Sequence, residues 1–147
     1  NMAETIENNM RKVIIDEQAV NPAYYERMSE LLDALIEERR QQAIGYKQYL
    51  ERVKELSLQV VNSGGVNPNA YPKSIDTPAK KALFDNLGQD EALCNRVDTA
   101  VRQTKKDDWV GHHIKEREIA AAISEELDDD SRLDEILELV KNQYEYR

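Results

Sequence analysis

Hydrophobic positions return with a helical period along most of this chain. From about Glu4 to Ala19, Ile6, Met10, Val13 and Ile14 lie at i, i+4, i+7 and i+8 and form one stripe. Asn21-Pro22 reads as a helix start, with proline in the first position, where its missing N–H has no helical partner to lose. Beyond it, Tyr25, Met28, Leu32, Leu35 and Ile36, flanked by Tyr24 and Leu31, make a stripe wide enough to touch more than one neighbour. Gly45 interrupts the pattern near residues 42–45, because glycine costs about 1 kcal/mol against alanine inside a helix. A stripe of Tyr46, Tyr49, Leu50, Val53, Leu56 and Val60 follows at once, read as a restarted helix or as one bent rod.

The pattern lapses from residue 62 to 77. Ser63-Gly64-Gly65, Asn67-Pro68 and Tyr71-Pro72 make this the one long loop expected, either a plain surface connection or a joint. Thr77-Pro78 opens the next helix, with Ala79, Ala82, Leu83 and Leu87 on one side and Phe84 beside them. Asn86-Leu87-Gly88 closes it, glycine taking the left-handed position just past the end. Asp90 is placed to cap a helix through Leu93, Val97, Ala100 and Val101, followed by a polar link, Lys105–Gly111, that holds Trp109. A helix from about Ile114 to Leu127 is expected to bury Ile119, Ala122, Ile123 and Leu127. Asp128-Asp129-Asp130-Ser131 leads into a last helix striped by Leu133, Ile136, Leu137, Val140 and Tyr144. No alternating strand pattern interrupts this series. The expected fold is all-α, an irregular bundle of about six or seven helices. It forms a single helical domain over residues 1–147, with residues 1–20 as a candidate connector helix to an upstream region.

Composition narrows the class without choosing a function. Charged residues are 33% and hydrophobic residues 40% of the 147, so a soluble chain still has a core to build. The single cysteine, Cys94, lies among Ala92, Leu93 and Val97 and reads as a small buried hydrophobe rather than an exposed, reactive thiol. It rules out an intrachain disulfide framework, which fits a reducing, cytoplasmic compartment. No apolar run approaches the ~20 residues that span a bilayer, so no membrane partner is expected. The net charge of −9 opposes a surface built mainly to grip phosphates.

Candidate chemistry is sparse. No GxxxxGK[ST] phosphate cradle exists. The acidic fragments Asp16–Ala19 and Asp90–Leu93 lie in helical patterns, with no strand to present an acid to Mg²⁺. His112-His113 would need further converging ligands to hold zinc, and reads instead as polar residues at a helix start. Asp128–Asp130 lacks the order of a calcium loop, and carboxylates before a helix favour its dipole. No catalytic, cofactor-binding or metal-binding residue is therefore assigned. Arg96, Arg102, Lys105 and Lys106 form the clearest basic cluster, continued by Lys115 and Arg117. They suit phosphate contact or an acidic partner, or else a solvated helix end. Trp109 sits among charges, outside any stripe, either as a plug over a helix junction or as an exposed partner anchor.

Four blocks in fixed order carry a resemblance: MSELLDALIEERRQQAIGYKQYLERVKEL (Met28–Leu56), YPKSIDTPAKKALFDNLG (Tyr71–Gly88), KKDDWVGHHIKEREI (Lys105–Ile119) and EILELVKNQYEY (Glu135–Tyr146). Together they resemble the C-terminal helical region of type I restriction enzyme R (HsdR) subunits. The resemblance covers most of the chain from about Pro22. It implies a parent that is a nuclease joined to an ATP- and Mg²⁺-dependent DNA translocase, working with methyltransferase (M) and specificity (S) subunits. The catalytic motifs of such parents lie upstream, so this region is expected to be non-catalytic and to need no cofactor of its own. Its implied role is assembly onto the methyltransferase core, with Tyr71, Lys80, Lys81, Trp109, Lys115 and Arg117 as the candidate interface. The alternative role is to guide translocated duplex, with Arg96, Arg102, Lys105 and Lys106 as the candidate DNA contacts.

Overall fold

The computed structural model describes residues 1–62 and 70–147; the first part of the expected loop, residues 63–69, lies outside the described residues. Among the described residues there are seven α-helices, a terminal 3-10 turn and no strand. The helices are α1 (Met2–Glu17), α2 (Pro22–Arg40), α3 (Tyr46–Val61), α4 (Pro78–Asn86), α5 (Glu91–Thr104), α6 (His113–Glu126) and α7 (Leu133–Lys141). The 3-10 turn is Tyr144–Tyr146. The all-α expectation holds.

The chain divides into two compact units, one of Asn1–Gln18 with Pro22–Ala70, the other of Ala19–Asn21 with Tyr71–Arg147. In the first, α1, α2 and α3 pack on one another in all three pairings. The wide α2 stripe does meet two neighbours, burying Tyr24, Tyr25, Met28, Leu32 and Leu35. The expected connector helix, α1, contributes Ala3, Met10 and Ile14 to this core. Arg11 bridges α1 to Asp33 of α2 at 2.6 Å, and Arg52 of α3 reaches Glu38 of α2 at 2.8 Å. The break between α2 and α3 is real. Its left-handed residue is Gln42 (φ 58°), while Gly45 is extended and stands immediately before α3.

The second unit is built from α4 to α7. Leu83, Val97, Val101, Ile119, Ile123, Ile136 and Val140 are fully buried at its centre. Three of its four helices are capped by a side chain: Thr77 accepts from the Lys80 N–H, Asp90 from the Leu93 N–H and His112 from the Lys115 N–H, whereas α7 starts at Arg132 without such a bond. Leu87 ends α4 and Gly88 turns left-handed at φ 71°, as a Cβ-free residue does most readily.

The last stripe departs from expectation. Helix α7 stops at Lys141, so the helical phase is lost before Tyr144, which is 91% exposed. Tyr146 takes the buried place instead.

Candidate partner interface

The expected interface residues fall into settings at two places in the second unit. At the start of α4, the Tyr71 hydroxyl donates to Asp85 at 2.6 Å and its ring meets Phe84 edge-on at 5.7 Å. The Lys81 ammonium sits 5.5 Å from the centre of the Tyr71 ring, within cation–π range. Lys80 turns back along the chain, donating to the Ser74 carbonyl at 3.2 Å and lying 3.5 Å from Asp76. Tyr71 and Lys81 are thus brought together, half-buried, while Lys80 secures the segment before α4.

The second setting is the link into α6, where the plug reading of Trp109 is the one the structure takes. Trp109 is not an exposed anchor. It is 1% exposed, and its indole N–H donates to the Tyr146 carbonyl at 2.7 Å. The physical reason lies in the neighbouring bonds, which fold the link inward. The His112 N–H bonds the Trp109 carbonyl, the Gly111 N–H bonds the Glu116 carboxylate, and the Lys115 ammonium reaches the Asp107 carbonyl at 2.7 Å. The Gly111 N–H, helped by the Lys141 ammonium, holds the Glu116 carboxyl below the usual carboxylate range. Of the expected residues here, Lys115 is half-buried in this clasp and Arg117 is exposed. Ile114 is 63% exposed on the same helix start, an apolar residue that the core stripe had not included.

The candidate DNA residues have mostly acidic neighbours. Arg96 pairs with Glu126 at 3.2 Å, and Lys106 with Glu118 at 2.8 Å. Arg102 holds Asp98 at 3.0 Å and Glu145 at 2.5 Å, and its guanidinium lies over the Tyr146 ring. Only Lys105 of these four has no ion pair among the described residues.

Sequence reasoning missed the group that completes this unit. Asp98 is buried on α5 and accepts the Tyr146 hydroxyl proton as well as the Arg102 guanidinium. Burial first, and the Asp98 carboxylate second, push the Tyr146 hydroxyl far above its ordinary range. Glu145 accepts from the Ala79 N–H at 2.6 Å, near the N-terminus of α4, where a carboxylate is favoured. Cys94 is fully buried, its thiol donating towards the Lys80 carbonyl and pushed up to about 12, chiefly by burial.

Helices α5 and α6 also leave an open groove of about 390 Å³ between them. Ala122 was expected in the core but is only half-buried and lines this groove with Thr99 and Ala100. Among the described residues, no group of His, Cys, Asp and Glu is arranged to hold a metal ion, and no helix is long and apolar enough to cross a membrane. No family model, curated protein or solved structure matches the chain.

Proposed function

We propose that this chain is a non-catalytic docking module, the C-terminal helical part of the restriction subunit of a type I restriction-modification enzyme. It attaches that subunit to the core of methyltransferase and specificity subunits. The ATP- and Mg²⁺-dependent translocation and cleavage of DNA belong to the parent, in the cytoplasm. The four sequence blocks support the parent assignment.

One structural observation carries the choice of docking over DNA contact. Arg96, Arg102 and Lys106 are each paired with carboxylates of their own unit. Phosphate contact would first have to break those pairs, against a net charge of −9. The start of α6 meanwhile leaves Ile114 and Arg117 exposed, an apolar and a cationic group suited to a protein surface.

The test is binding of the purified chain to a purified methyltransferase–specificity core, with intact restriction subunit as competitor. Saturable binding that the intact subunit displaces is the expected result. No binding to the core, together with salt-sensitive binding to duplex DNA, would transfer the role to guiding the duplex.

A further inference from the structure

We propose that the turn between α1 and α2 is a latch: the second unit grips it, and that grip makes the two units unfold as one. The inference stands apart from the docking role and is tested on the chain alone.

Buried polar side chains converge on this turn. Among the described residues, the buried polar or charged side chains are Asn21, Asn86, Asp98 and Gln143. All but Asp98 bear on residues 19–21. The Asn86 amide N–H donates to the Asn21 side-chain oxygen at 2.8 Å, and the Asn21 amide N–H donates to Asp85 at 2.8 Å. The Gln143 amide N–H donates to the Val20 carbonyl at 2.7 Å. The Tyr71 hydroxyl reaches the same Asp85 oxygen at 2.6 Å and steadies that carboxylate. All of these bonds lie within the second unit, to which Ala19–Asn21 belongs. Asn21 reads from sequence as a helix start, which is a local device. Its amide nevertheless bonds partners 64 and 65 residues away, and Val20 one 123 residues away. A buried amide stripped of its partner is costly, so a satisfied network of this kind fixes one arrangement of the turn.

Chain connectivity turns that grip into a coupling. Gln18 and Pro22, on either side of the turn, belong to the first unit. Helices α1 and α2 are therefore joined through three residues that the second unit holds. Each unit has its own core, with Met10, Met28, Leu32 and Val53 in one and Leu83, Val97, Ile119 and Ile136 in the other. Separate cores can open as separate cooperative units. Unfolding of the second unit takes Asp85, Asn86 and Gln143 away from the turn and frees α1 and α2 to splay where they join. Opening of the first unit pulls on the same buried amides, because such a coupling acts equally in both directions.

The experiment follows urea unfolding of the whole chain with two probes. Trp109 emission reports the second unit, and circular dichroism reports both, since both are helical. Coincident midpoints are expected, the usual sign of a single transition. Ile119→Ala, a cavity in the second core outside the network at the turn, should lower both midpoints together by about 1 M urea. Asn86→Ala with Gln143→Ala, both in the second unit, strips the turn of two donors and leaves the first unit's own residues unaltered. In that variant the helices α1–α3 should melt at lower urea than the Trp109 site, and adding I119A should move the Trp109 midpoint alone. Should the double variant lack buried Trp109 emission in water, Gln143→Met takes its place, since it keeps the bulk and removes the bond to Val20; the same separation is expected. Midpoints that already differ in the unaltered chain make the units independent and overturn the proposal. So does an I119A chain that keeps a dichroism step at the original urea concentration. If the midpoints stay together after the grip is removed, another connection couples the units and the turn is no latch.

Discussion

Trp109 illustrates how a residue without a stripe finds a core. Its neighbours in sequence are charged, yet the ring is buried and its N–H is satisfied by the Tyr146 carbonyl. As the only tryptophan of the chain, it should report on the second unit alone, with blue-shifted emission and little quenching by iodide. Trp109→Ala should destabilise that unit by about 3–5 kcal/mol, the usual cost of emptying a large aromatic site. Denaturant melts followed by circular dichroism would read this, and a loss under about 1 kcal/mol would contradict the burial. Cys94 offers a second local probe. Its thiol should react slowly with an aromatic disulfide at pH 8 and quickly once urea opens the unit. Its folded value, pushed up to about 12 from an ordinary 9.0, means the thiol stays neutral while the unfolded chain begins to ionise. Its contribution is complete below pH 9.0 and is lost as pH rises towards about 12. Rapid labelling of the native chain at pH 8 would argue that Cys94 is not enclosed.

At the scale of elements, starts and stops were legible because they are local chemistry. Thr77, Asp90 and His112 each place a side-chain acceptor within three residues of a free N–H. The end of the last helix was not legible. Its stripe continues in phase to Tyr144, but α7 stops at Lys141 and the chain tightens into a 3-10 turn held by distant partners. Glu145 reaches Ala79 and Arg102, and Tyr146 reaches Asp98 and Trp109, across separations of 37 to 66 residues. No local rule contains those pairings. The turn therefore acts as a clasp over the α4 start and over α5, and its strength is measurable. Glu145→Ala removes a charged acceptor at the α4 N-terminus and one partner of Arg102, which should cost about 1–3 kcal/mol. Tyr146→Phe removes one bond to Asp98 and keeps the ring, so it should cost less, about 1 kcal/mol. Because both residues bear on Arg102, the double variant should depart from additivity. Additive losses in urea melts would mean that the clasp is not one structure.

At the scale of the molecule, the helical class could be read from periodicity, but its division into two cores could not. A stripe states that a helix has a buried face without stating which helix buries it. The basic cluster shows the same limit of a one-dimensional reading. Sequence places Arg96, Arg102, Lys105 and Lys106 within about three helical turns. Asp98 lies one turn from Arg102, but the other carboxylate partners, Glu118, Glu126 and Glu145, lie 12, 30 and 43 residues from Lys106, Arg96 and Arg102. A run that looks like a phosphate contact in one dimension is largely internal ion pairing in three. This gives a prediction in the direction of gained function. Exposed pairs are weak, about 0–1 kcal/mol each, so replacing the acids should leave the fold intact. Glu118→Lys with Glu126→Lys should free Lys106 and Arg96 and add two cations beside them. Duplex binding should then appear at low salt and fall steeply as salt rises, as counterion release requires, whereas the unaltered chain should shift no duplex. If the unaltered chain already binds duplex and the double variant binds no better, these ion pairs do not restrain the basic cluster.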